Sequence, residues 1–196
     1  MAKPGAPSRE RLLIGAADMI SRRGLNATSI RELAKHAQAP LGSTYHFFPE
    51  GKQQLATEAV NYAGEAVARI LREELDAGPI AGLRAFLALW RGIVVDSDFR
   101  AGCPVLAVSV EEPPTDEIPP ALAAAAEVFE VWEGLLTEAL TRQGADPDRA
   151  AGLAALIVAS VEGAIAMCRA KRSMQPLGRV ARQLETLIAD AVDRSA

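Results

Sequence analysis

The stretch from Ser29 to Lys52 reads SIRELAKHAQAPLGSTYHFFPEGK, and its punctuation decides the fold. Ser29 and Glu32 stand at capping-box spacing, and Ile30, Leu33, Ala34 and Ala37 repeat at helical period. Ala37, Gln38 and Ala39 supply a turn of mostly small residues. Pro40 suits the first turn of a second helix, where its missing N–H is not needed. Pro49 and Gly51 break the chain again soon afterwards. Two short helices set at an angle form the helix-turn-helix shape that fits a DNA major groove.

Working outward, Ser8 is a good N-cap for a helix carrying Leu12, Leu13, Ala16, Ala17 and Ile20 until Gly24 stops the run. From Lys52 to about Asp76 the pattern is helical and long enough to connect a head to a body. Gly78-Pro79 ends it, and residues 80–96 place Leu83, Phe86, Leu87, Trp90 and Val94 on one face. The β-branched run 103–110 would suit a strand, but a lone strand has no partner, so a short buried helix is expected. Glu111 to Pro120 is a proline-rich acidic loop. Helices are expected over about 121–143, 147–171 and 177–193, the middle one apolar around much of its girth. The fold class is all-α, about nine helices. Residues 1–7 are expected to form a disordered arm, 8–51 a helix-turn-helix domain, and 52–196 a ligand-binding and dimerisation domain.

Charge divides along the same line. Residues 1–55 hold eight basic against four acidic side chains, leaving +4 there and −8 in the remainder of a chain whose net charge is −4. A basic module on an acidic body suits contact with phosphates at one end only. Cys103 and Cys168 are too few for a disulfide framework or a zinc site, and a reducing cytoplasm is the simplest setting. No stretch of 18 residues lacks charge or turn residues, and the N-terminus has no signal-peptide core, so no membrane segment is expected. The acids and histidines form no catalytic or metal set, which speaks against an all-α enzyme. A purely structural helical adaptor leaves Gly42-Ser43-Thr44-Tyr45 unexplained.

In the head, Gly42 and Ser43 keep one face free of bulk, Tyr45 and His46 can donate to phosphate oxygens, and Lys52 adds charge at a helix N-terminus. Phe48 is expected in the core. The run Gly24 to Ala34, then Pro40 to Phe48, then Lys52-Gln53-Gln54-Leu55 resembles the head of the tetracycline repressor (TetR) family. The resemblance implies phosphate contacts from Thr28, Ser43, Tyr45, His46 and Lys52. It also implies base-facing positions around Pro40, Leu41, Gly42, Ser43 and Thr44; Ser29 joins this candidate set. Leu41 stands where many relatives carry a polar residue, so apolar contact to a thymine methyl or shape readout gains weight. Pro49 to Lys52, Gly102-Cys103-Pro104-Val105 and Glu162-Gly163-Ala164 resemble the LmrA/YxaF-like branch more narrowly.

The resemblance further implies double-stranded operator DNA as partner, a homodimer through helices 147–171 and 177–193, and release by a small lipophilic or aromatic effector. No cofactor is expected. Phe86, Trp90, Phe99, Phe129 and Trp132 gather apolar rings in the body and suit a ligand pocket, with Met167 and Cys103 as further candidates. For any single one of these rings, plain core packing is the stronger reading.

Overall fold

The computed structural model describes residues 9–113 and 116–193. The expected arm, the Ser8 cap and part of the acidic loop lie outside these residues. Among the described residues the chain forms nine helices and no strand: α1 (Arg9–Arg23), α2 (Ile30–His36), α3 (Leu41–Phe47), α4 (Lys52–Leu75), α5 (Pro79–Asp96), α6 (Pro104–Ser109), α7 (Pro120–Arg142), α8 (Pro147–Lys171) and α9 (Gln175–Asp193). The 104–109 segment is helical, and Pro104, Val105 and Val108 bury its inner face.

The chain groups into two compact units. Of the described residues, one comprises 9–64, 104–113 and 116–128, the other 65–103 and 129–193. The chain passes between them within α4, at Cys103–Pro104, and within α7.

In the first unit, Leu12, Ala16 and Ile20 of α1 and Leu33 and Ala34 of α2 are essentially inaccessible to solvent. Gly24, at φ +80°, ends α1, and its N–H donates to Ile20 O at 2.8 Å. That left-handed conformation strains any residue with a Cβ, and a Cβ there would also collide with the Glu111 carboxylate. α6 packs along α1, and Glu111, just past its end, accepts from the Asn26 backbone N–H at 2.7 Å. Arg9 on α1 bonds Glu58 on α4, and Tyr62 on α4 donates to Glu10 at 2.9 Å.

In the second unit α8 and α9 pair along their lengths, and α5 packs against both. Asp146 caps α8, accepting from the backbone of Asp148 and Arg149 at 3.1 Å. Arg172 ends it in the left-handed region (φ +47°), bonds Asp98 at 2.8 Å and lies over the Phe99 ring. α8 is long and apolar enough to cross a membrane, with a mean hydropathy of 2.0 over 18 residues, and half of that window is buried inside the protein.

Candidate nucleic-acid interface and body core

The head is held rigid from α1 outward. A Cβ on Gly15 would lie 2.7 Å from Ala37 Cβ and 3.0 Å from its Cα, so α1 and α2 cross nearly backbone to backbone. Asp18 bonds Arg22 at 2.9 Å and His36 at 2.6 Å, tying α1 to α2. Burial raises the Asp18 pKa, and the bonds to Arg22 and His36 outweigh it, leaving the carboxyl below its ordinary value. At the start of α2 the capping box is complete. Ser29 accepts from Glu32 N–H, and the Glu32 carboxylate accepts from Ser29 N–H and hydroxyl. These bonds to Ser29 hold the Glu32 carboxyl below its usual range.

The turn is tighter than small residues alone require. Gln38 adopts φ +53°, an uncommon conformation for a residue with a side chain, and its carbonyl accepts from Arg11 at 2.9 Å. Pro40 is the N-cap of α3, in extended backbone, rather than a residue of its first turn. The missing proline N–H is harmless there too.

α3 then sorts its residues cleanly. Phe48 has no exposed surface and carries Arg9 over its ring at 5.0 Å, as a core residue should. Gly42 is exposed with open space above it, Ser43 and Leu41 are half-buried, and Pro40, Tyr45 and His46 are exposed. His46 stacks edge-on against Phe47 at 5.5 Å. Tyr45 leans toward Gly51, where a Cβ would sit 4.0 Å from its ring, so it shares a surface with the start of α4 and Lys52.

Two of the sequence-derived candidates face inward. Thr44 is fully buried and its hydroxyl donates to Pro40 O at 3.2 Å. Thr28 is 4% exposed and donates to Leu25 O at 2.9 Å. Their hydroxyls serve the local backbone, so neither presents itself to a phosphate here. Ser29 is exposed but its side chain is engaged in the cap. Arg23, not singled out by its sequence position, acts on the Glu32 carboxylate together with Lys52. The Arg22-Arg23 pair at the end of α1 was the signal for it.

In the second unit, Phe86, Trp90, Phe129 and Trp132 form one edge-to-face cluster, with centroids 5.7–6.4 Å apart. Phe86, Trp90 and Trp132 are at most 2% exposed, and Phe129 is half-buried. Phe99 stands apart, half-buried on a loop beneath Arg172. Met167 points outward from α8, 48% exposed, and does not line this cluster. Cys103 is buried, and its neighbour is a residue absent from the candidate set. Glu162 on α8 is 3% exposed, and burial pushes its carboxyl from 4.5 up to about 7, with the Cys103 thiol restraining the rise.

Comparison with known proteins places this geometry. Residues 12–59 match the family described as bacterial regulatory proteins, tetR family, and residues 79–183 match the LmrA/YxaF-like transcriptional regulator C-terminal domain. An uncharacterised helix-turn-helix regulator of Mycobacterium tuberculosis is 43% identical over 191 residues, covering 95% of this chain and 97% of its own. The regulator LmrA of Bacillus subtilis is 30% identical, covering 87% and 90%. A tetR-type regulator of Legionella pneumophila shares the fold with a TM-score of 0.80 at 19% identity, covering 94% and 98%.

Proposed function

The chain belongs to the tetR family of bacterial regulatory proteins and is a DNA-binding transcriptional regulator, not an enzyme; from that premise we propose that it is a cytoplasmic repressor. It binds a palindromic operator as a homodimer and is released by a small lipophilic effector. The observation that carries the DNA-reading part is the surface shared by α3 and the start of α4. Leu41, Gly42, Ser43, Tyr45 and His46 project from a helix whose inner side is locked by Thr44 and Phe48, with Lys52 alongside. Gly42 and Ser43 allow the backbone close to the groove floor, Leu41 offers an apolar contact to a thymine methyl, and Tyr45, His46 and Lys52 grip phosphates.

One head of this size binds weakly, and two on a two-fold axis read half-sites about 34 Å or a multiple apart. The dimer seam we assign to α8 and α9. The outer side of α8 exposes Gly152, Leu156, Gly163, Ala166 and Met167, and α9 exposes Leu187. Small residues let helices approach closely, and the larger apolar ones supply area to bury. To residues 8–51 we assign the reading of DNA, and to 52–196 the binding of effector and partner.

Effector binding would shift a two-state equilibrium whose coupling is about 1–3 kcal/mol. Besides the connector α4, α6 is placed to carry the change, because it lies on α1 and its chain continues directly into Cys103 of the other unit.

The test is selection of genomic fragments by the purified protein at physiological salt, wild type against Tyr45→Ala plus Lys52→Ala. Retention of a palindromic fragment by the wild type and its loss in the double variant supports the reading. Retention by both refutes the assigned contacts, and no specific fragment refutes the repressor.

A further inference from the structure

The interior of the second unit contains an acid that the fold does not use. Glu162 lies on the buried side of α8 among Val158, Val161 and Ile165, which are 0–3% exposed. Neither carboxyl oxygen makes a hydrogen bond of ordinary geometry, and among the described residues no lysine or arginine pairs with it. The nearby Cys103 thiol is a weak donor. Buried acids that serve structure are paired, cap a helix end or join a hydrogen-bond network. In mid-helix, Glu162 caps no helix end and has no charged partner, and the weakly donating Cys103 thiol is what meets it. The same unit holds a second unspent polar group, the Trp90 indole N–H, buried without an acceptor in the aromatic cluster. No three His, Cys, Asp or Glu side chains among the described residues could share a metal ion.

An apolar interior with very few unsatisfied polar groups is the composition of a small-molecule site. We propose that Glu162 recognises the ammonium group of a lipophilic amine, whose hydrocarbon or aromatic frame packs into the apolar interior of the body. This rests on the reading of that body as an effector site. A protonated amine supplies both things that Glu162 lacks, N–H donors and a compensating charge. A neutral donor supplies only the first, and an anionic ligand is repelled. Burial pushes the free carboxyl toward its neutral form, so an arriving ammonium ion draws it back to the carboxylate. The carboxyl is sealed from solvent in this state, so occupancy requires the unit to open around α8. Binding and rearrangement are then one event.

The experiment titrates full-length protein calorimetrically with 4-phenylbenzylamine and with 4-phenylbenzyl alcohol, which differ only in the polar head. It uses wild type, Glu162→Gln and Glu162→Leu, with operator-fragment retention measured on each preparation. The wild type should bind the amine at least about tenfold more tightly than the alcohol. Both variants should fold, retain DNA and bind the two probes about equally. Equal or absent binding of both probes by a DNA-competent wild type overturns the inference, as does an amine preference that survives in the variants. Variants that cannot fold overturn it too, because the carboxyl would then be structural. Loss of operator retention by the wild type instead refutes the regulator reading beneath it.

Discussion

Replacing Glu162 by Gln should change how stability depends on pH, and the size of the change follows from burial. The carboxyl titrates near 4.5 when unfolded and at about 7 when folded. A raised carboxyl pKa means the native state holds its proton longer. Its contribution to stability is therefore fully present below pH 4.5 and is lost as pH rises through 7. Linkage gives a loss of about 1 kcal/mol at pH 5 and about 3 kcal/mol at pH 8, so wild-type stability should fall by roughly 2 kcal/mol between them from this residue alone. Glutamine cannot ionise, and its own burial cost does not vary with pH. The assay is urea unfolding of wild type and Glu162→Gln at pH 5, 6, 7 and 8, at one protein concentration because the stability of the proposed dimer would depend on it. Other titrating groups cancel in the difference between the two proteins. The variant should gain steadily on the wild type as pH rises. A difference constant to within about 0.5 kcal/mol across that range would refute the claim of an unpaired, buried carboxyl.

Other consequences are equally direct. Gly15→Ala gains about 1 kcal/mol of helix propensity but drives a methyl into the Ala37 backbone, so a net loss of about 1 kcal/mol is expected by urea unfolding, with weaker operator binding. Ser29→Ala removes the α2 N-cap and should cost about 1 kcal/mol in the same assay. Asp18 has a lowered pKa, so its stabilising effect is present above the ordinary carboxylate range and lost as pH falls through its folded value. Asp18→Asn should flatten that acid-side decline, measured as unfolding midpoints between about pH 3 and pH 5. Leu156→Glu places a charge on the outer face of α8 and should convert a dimer to monomers in sedimentation equilibrium, and an unchanged mass would move the seam elsewhere.

Helix positions were legible because each is punctuated locally. Ser29 with Glu32, Gly24, Gly78-Pro79 and Asp146-Pro147 announce their own boundaries, and α6 followed from the lack of a strand partner. What sequence could not supply was the direction of each side chain. Thr28 and Thr44 have the chemistry of phosphate ligands, but their hydroxyls turn back to carbonyls three and four residues upstream. Met167 and Phe99 belong to the body by composition, yet one faces outward and the other sits beneath Arg172. Glu162 was legible only as part of the Glu162-Gly163-Ala164 resemblance. That its side chain is enclosed shows only in the packing of α8.

The aromatic residues are partitioned in a way that reaches beyond packing. The chain's two tryptophans, Trp90 and Trp132, both lie in the second unit, and its two tyrosines, Tyr45 and Tyr62, both lie in the first. Emission excited at the red edge of the indole band therefore reports on the second unit and is silent about the first. Tyrosine emission reports on the first unit, from Tyr45 exposed on α3 and from Tyr62 on α4, whose hydroxyl donates to Glu10. The chain thus carries separate intrinsic optical channels for its two units.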